Sequence, residues 1–168
     1  MKRYLVAASI LVGFLGVTGA EATQSIFIGR IVFTGSSGAA CIPVNPVGER
    51  QTIRFMPAGI DNNGVNSIFT LYWRSGGQQD KPRSATSYTL ASNSFDGTPR
   101  PVKGVIFENG PKNFVNTPVI AVTSVTQNNA SLDATTQFVS ASGEIQNWQD
   151  ELGCTVSFTA AFTKQLRN

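Results

Sequence analysis

The sequence contains no histidine. That removes the side chain that ordinarily changes charge near neutral pH, the commonest general base and the commonest zinc ligand. An enzyme built from this chain would have to rely on a carboxylate pair or a serine–lysine arrangement. Acids are few as well, with 10 Asp and Glu in 168 residues. Asp150 and Glu151 are adjacent, so on a strand they would point to opposite faces, and they read as a solvated loop before the last strand. Glu108 and Glu144 are isolated in sequence. No enzyme, cofactor or metal site is expected.

Charge of either sign is scarce. Charged residues make up 14% of the chain and the net charge is +3. The basic residues are scattered along the sequence, which argues against nucleic acid or an anionic membrane as partner. There is no apolar stretch of the roughly 18–20 residues that a membrane-crossing helix needs. Nor does any apolar pattern of helical period persist beyond about two turns.

What is present begins with an ordered N-terminus. Met1-Lys2-Arg3-Tyr4 is a short positive segment, Leu5 to Val17 is apolar apart from Ser9, and Thr18-Gly19-Ala20-Glu21-Ala22 supplies small residues at the −3 and −1 positions. Residues 1–22 therefore read as a secretory signal peptide cleaved after Ala22. No cysteine follows the apolar run directly, so no lipid anchor is expected. Cleavage leaves 146 residues, one domain's worth, and removes Lys2, Arg3 and Glu21 to leave a net charge of +2.

Short runs with strand character lie between Gly, Pro and Asn clusters. They are Ile26–Thr34, Gln51–Met56, Ser67–Trp73, Ser84–Ala91, Lys103–Phe107, Val119–Val125, Thr135–Ala141 and Cys154–Lys164. The breakers include Asp61-Asn62-Asn63-Gly64 and Gly76-Gly77. Eight such runs predict an all-β chain of immunoglobulin-like sandwich size. The last is the cleanest: Cys154, Val156, Phe158, Ala160 and Phe162 alternate with Thr155, Ser157, Thr159, Ala161 and Thr163, giving one buried face and one open face. Trp73 and Trp148 read as core or core-edge residues, with sugar-stacking platforms as the sharper alternative.

Cys41 and Cys154 are the only cysteines. In an exported chain an even count reads as a bridge, against the alternative of two free thiols. A bridge across 113 residues would remove about 4–5 kcal/mol of unfolded-state freedom as an upper expectation.

The first run carries the functional signal. Phe27, Gly29, Ile31, Phe33 and Gly35 occupy alternate positions. One reading is an ordinary first strand in which Gly29 marks a bulge or a close backbone contact. The other is a detachable strand whose apolar side chains fill another subunit's groove by strand addition.

The run Gly29-Arg30-Ile31-Val32-Phe33-Thr34-Gly35, followed by Ala39-Ala40-Cys41, resembles the start of chaperone–usher fimbrial subunits. The cysteines lie further apart than in the main branch of that family, and the penultimate tyrosine is missing, which points to a divergent or minor member. The resemblance implies an incomplete, pilin-type immunoglobulin-like β-sandwich spanning residues 36–168, with residues 23–35 as an N-terminal donor strand. Phe27, Gly29, Ile31 and Phe33 would be the donor contacts. Val156, Phe158, Ala160 and Phe162 would line the acceptor groove. The implied partners are a periplasmic chaperone, an outer-membrane usher, neighbouring subunits and a possible host receptor, and the implied location is the fimbria on the cell surface. The alternative function is a self-contained secreted binding module or adhesin. Its distinguishing feature would be Phe27, Ile31 and Phe33 folded into their own domain.

Overall fold

The structure, a computed structural model, describes residues 24–59, 66–73, 84–90, 95–124, 132 and 135–167. The signal peptide reading for residues 1–22 and the turn clusters at 61–64 and 76–77 lie outside the described residues.

Alternating apolar residues set most of the strands. These are β1 (Gln24–Ser37), β2 (Arg50–Met56), β3 (Ser67–Trp73), β4 (Ser84–Leu90), β5 (Arg100–Pro101), β6 (Lys103–Phe107), β7 (Pro111–Asn113), β8 (Val119–Ser124), β9 (Phe138–Gln146) and β10 (Thr155–Arg167). Two 3-10 turns, Ala39–Val44 and Trp148–Asp150, cover one end of the sheet. The all-β class is as expected. Among the described residues the strands form one antiparallel sheet in the order β5-β8-β9-β10-β1-β2-β3-β4-β6-β7.

That order makes the sheet curl on itself. β5 pairs with β8 and β6 pairs with β4, yet only Val102 separates β5 from β6 in the chain. The segment from Asp96 to Phe107 therefore lies against β8 with its first half and against β4 with its second. The N–H of Val102 donates to the carbonyl of Pro118 at 2.9 Å, and the N–H of Gly97 donates to that of Val122 at 2.7 Å. Strand follows strand around the wall, and the first strand meets the last. An immunoglobulin-like sandwich requires Greek-key connections between two sheets; here the pairing is sequential, as in an up-and-down meander.

Eight strand positions leave an interior that side chains can fill. Phe27, Ile31 and Phe33 of β1, Ile53 and Phe55 of β2, and Tyr88 of β4 are wholly buried there, and Val156, Phe158 and Phe162 of β10 nearly so. The Phe27 ring stands edge-on to Phe162 at 5.9 Å. Fully burying one large apolar side chain is worth roughly 1.5–3 kcal/mol. On that scale Phe27, Ile31 and Phe33 together stabilise the domain by roughly 5–9 kcal/mol as an upper bound.

Several expected boundaries shift. β9 runs from Phe138 to Gln146, where Thr135–Ala141 was expected. Its second half, Ser142 to Gln146, polar apart from the buried Ile145, is held by pairing with β8 and β10 on both sides. β5 and β7 are too short to announce themselves in sequence. The irregularity in β1 lies between Phe33 and Gly35, where the register against β10 shifts, while Gly29 is a point of close approach. A Cβ built on Gly29 would lie 1.9 Å from the Ala161 carbonyl oxygen and 2.5 Å from the Phe162 Cα.

Candidate functional site

β1 lies directly between β10 and β2 in its own sheet. Phe27, Gly29, Ile31 and Phe33 stand opposite Lys164, Phe162, Ala160 and Phe158 of β10. The structure thus brings the four residues expected as donor contacts against the strand that carries Val156, Phe158, Ala160 and Phe162, within one chain. Ser36 and Ser37 pair with Val156 and Thr155. Just past that ladder end, Cys41 and Cys154 form a disulfide with their Cα atoms 4.7 Å apart.

The disulfide end of the sheet holds a cleft of about 520 Å³. Its walls come from four places: the turn after β1 (Ile42–Pro46), the entry to β2 (Glu49, Gln51), the β6–β7 hairpin (Ile106, Glu108, Lys112) and the turn before β10 (Trp148, Gln149). Gln51 shares the inward face of β2 with Ile53 and Phe55, so a polar side chain occupies a core register at the strand's first turn inward. It is 6% exposed. Its Nε2 donates to Glu49 at 3.2 Å, and its Oε1 is buried without a hydrogen-bond partner among the described residues. An unpaired buried acceptor costs about 1–3 kcal/mol.

The wall formed by Asn147 to Asp150 is strained. Asn147, Gln149 and Asp150 have φ of 56°, 53° and 70°. Asn and Asp tolerate the left-handed region, whereas Gln149 is held there at a cost of about 1–3 kcal/mol. The surroundings fix this shape. The Asp150 carboxylate accepts the N–H groups of Val115 and Asn116 at 2.8 and 2.7 Å, so it is a structural anchor. The Asn147 amide donates to the Thr117 carbonyl at 2.8 Å and accepts from the Gly153 N–H at 3.0 Å. Gln149 Nε2 donates to the Thr86 hydroxyl at 3.3 Å.

Trp148 closes the core beneath the cleft. Its ring lies 4.8 Å from Phe33, and its indole N–H donates to the Val44 carbonyl at 3.1 Å. At 1% exposure it is a core residue, and it offers no open face on which a sugar could stack. Trp73 ends β3. Glu108 and Glu144 fall on different elements, the β6–β7 turn and β9; Glu144 accepts a hydrogen bond from Ser157 at 3.4 Å.

The cleft residues were legible only in part. Gln51 at an inward position of an alternating strand was a signal available in sequence, and so was the run of turn-forming residues around Trp148. Nothing in the sequence indicated that they meet.

The fold and the site together define a disulfide-closed, single-sheet β domain with a polar cleft at its closed end. No family model, curated protein or solved structure matches the chain.

Proposed function

We propose that this protein is an exported, self-contained β module that binds a small polar molecule in the cleft at its disulfide end. The observation that carries the reading is the position of β1: Phe27, Ile31 and Phe33 are fully buried in the chain's own sheet. Removing that strand would forfeit an amount of burial comparable to the 5–15 kcal/mol stability of a whole domain. The cleft falls within the 300–1,000 Å³ typical of ligand sites, and mouths of curled sheets are common places for them. Export is supported by the signal-like residues 1–22 and by the disulfide, which persists in oxidising compartments.

A second reading is a divergent subunit of a chaperone–usher fimbria serving cell adhesion. The observation that favours it is the place of β1 at the N-terminal end of the described chain, paired with β10 from Gln24 to Ser37. In that reading the same strand would leave its own sheet, the pilin-type sandwich would form around a neighbour's strand, and chaperone, usher and adjacent subunits would be the partners.

One experiment separates the two. Material exported to the periplasm is purified with and without residues 23–35 and analysed by unheated SDS gels and size-exclusion chromatography. The module reading expects a monomer whose folding requires residues 23–35. SDS-resistant ladders that vanish on truncation would overturn it in favour of the fimbrial reading. Binding is then tested on the intact protein by following the Trp148 indole and Gln51 amide NMR signals against a library of polar fragments. A library that moves neither signal would refute the cleft as the binding site.

A further inference from the structure

The sheet gathers arginines that are far apart in sequence. Arg30 alternates with the buried Ile31, and Arg50 and Arg54 alternate with Gln51, Ile53 and Phe55, so all three stand on the outer face of β1 and β2. In the register, Arg54 lies opposite Ile28, Thr52 opposite Arg30, and Arg50 opposite Val32. Arg30 is therefore diagonal to both Arg50 and Arg54, a separation of about 7–8 Å along the backbone, within reach of long side chains. In the register the three residues form one zigzag row on that face.

Among the described residues none of the three has an ion-pair partner. Among the described residues the ion pair is Asp96 with Arg100, at 2.7 Å, on another part of the wall. The outward positions on the flanking strands are neutral, including Thr159, Ala161 and Thr163 of β10 and Ile68, Thr70 and Tyr72 of β3. Glu49, next to Arg50 in sequence, shares the face of Gln51 and lines the cleft instead. The three positive charges repel weakly across these diagonals, and an anion bound along the row would offset that repulsion.

We propose that the outer face of β1 and β2 binds a linear anionic polysaccharide, with Arg30, Arg50 and Arg54 holding successive carboxylate or sulfate groups. Guanidinium forks match both groups with paired hydrogen bonds. The residues between and beside them, Thr52 and Thr159, supply hydroxyls suited to sugar hydroxyls. Single-stranded nucleic acid would call for exposed aromatic rings beside the charges on which bases stack; on the outer face of β1, β2 and β3 the aromatic residue is Tyr72, which is half-buried, and the exposed Phe138 ring stands two strands off on β9. A membrane surface would call for a continuous apolar face to insert, and the large apolar groups exposed on this wall, Ile28 at 43% and, two strands away on β9, Phe138 at 47%, are set among threonines and arginines. This inference is independent of the cleft.

The test immobilises chondroitin sulfate and polygalacturonate and measures binding of the purified full-length exported protein across a salt series, with dextran, a DNA duplex and phosphatidylglycerol vesicles as comparators. The expected result is binding to the two acidic polysaccharides, none to dextran, and weakening with salt. Each of Arg30→Gln, Arg50→Gln and Arg54→Gln should weaken binding by about two- to fivefold and lower the salt slope by up to about one. Melting temperatures of the variants should be unchanged or raised, which separates lost binding from lost folding. Unaltered binding by the triple variant would overturn the proposal, as would absence of polysaccharide binding or a preference for the DNA or the vesicles.

Discussion

Two glycines of β1 give opposite predictions from one substitution. At Gly29 an added methyl would fall 1.9 Å from the Ala161 carbonyl oxygen, 2.5 Å from the Phe162 Cα and 2.6 Å from the Phe162 Cβ. Two of these are backbone atoms of β10, so no rotamer change relieves the clash and the β1–β10 ladder must open locally. Overpacking of this kind costs about 1–3 kcal/mol, occasionally more. The entropic advantage of alanine over glycine returns about 0.5–1 kcal/mol. The net loss expected for Gly29→Ala is about 1–2 kcal/mol, which lowers the melting temperature of a domain this size by roughly 2–8 °C. At Gly35 the same methyl would meet Ser157 Cβ at 3.7 Å, an ordinary contact. Gly35→Ala should leave stability within about 0.5 kcal/mol of the parent or raise it. Thermal melts by circular dichroism and urea unfolding followed by tryptophan fluorescence measure both. If Gly29→Ala melts with the parent, or Gly35→Ala loses as much as Gly29→Ala, the close approach of β1 to β10 is refuted.

Three further outcomes are expected. Reducing the Cys41–Cys154 bridge, or replacing both residues with serine, should cost up to about 4–5 kcal/mol by the chain-entropy account; urea midpoints with and without reductant check this, and equal midpoints would contradict it. Tyr88 is buried beside Phe114, its hydroxyl has no hydrogen-bond partner among the described residues, and burial raises its pKa above the usual phenol range. Tyr88→Phe should therefore stabilise by about 1 kcal/mol or more, and a lowered melting temperature would show that the hydroxyl is satisfied in solution. The Arg100 guanidinium and the Thr98 N–H hold the Asp96 carboxyl well below its ordinary range. A depressed folded-state pKa contributes stability that is fully present above the unfolded value near 3.8 and is lost as pH falls through the folded value. Melts of the parent and Asp96→Asn should therefore differ most above pH 4 and converge in stronger acid, and a constant difference down to pH 2 would contradict the assignment.

How much of this was legible in sequence follows from the range of each signal. The alternation in Cys154 to Thr163 is local with a period of two, and it identified β10 and its buried face; the same holds for Ile53 and Phe55 in β2. The two cysteines could be paired because there were only two. Length, the absence of helical periodicity and the spacing of turn residues were enough for the all-β class.

Neighbour relations are a different matter, because alternation says which face is buried and not beside which strand it lies. Phe27, Ile31 and Phe33 have the same pattern in a donated strand as in a resident one; only the sheet order places them between β10 and β2. The largely polar half of β9 became a strand through pairing on both sides, and β5 and β7 exist only as partners. The arginines looked scattered because Arg30 and Arg54 are 24 positions apart in the chain, yet antiparallel pairing sets them on adjacent strands. Residue identity and periodicity fix what each segment needs. Which segments meet that need for one another is decided by long-range hydrogen bonding and packing, and those exist only in the folded chain.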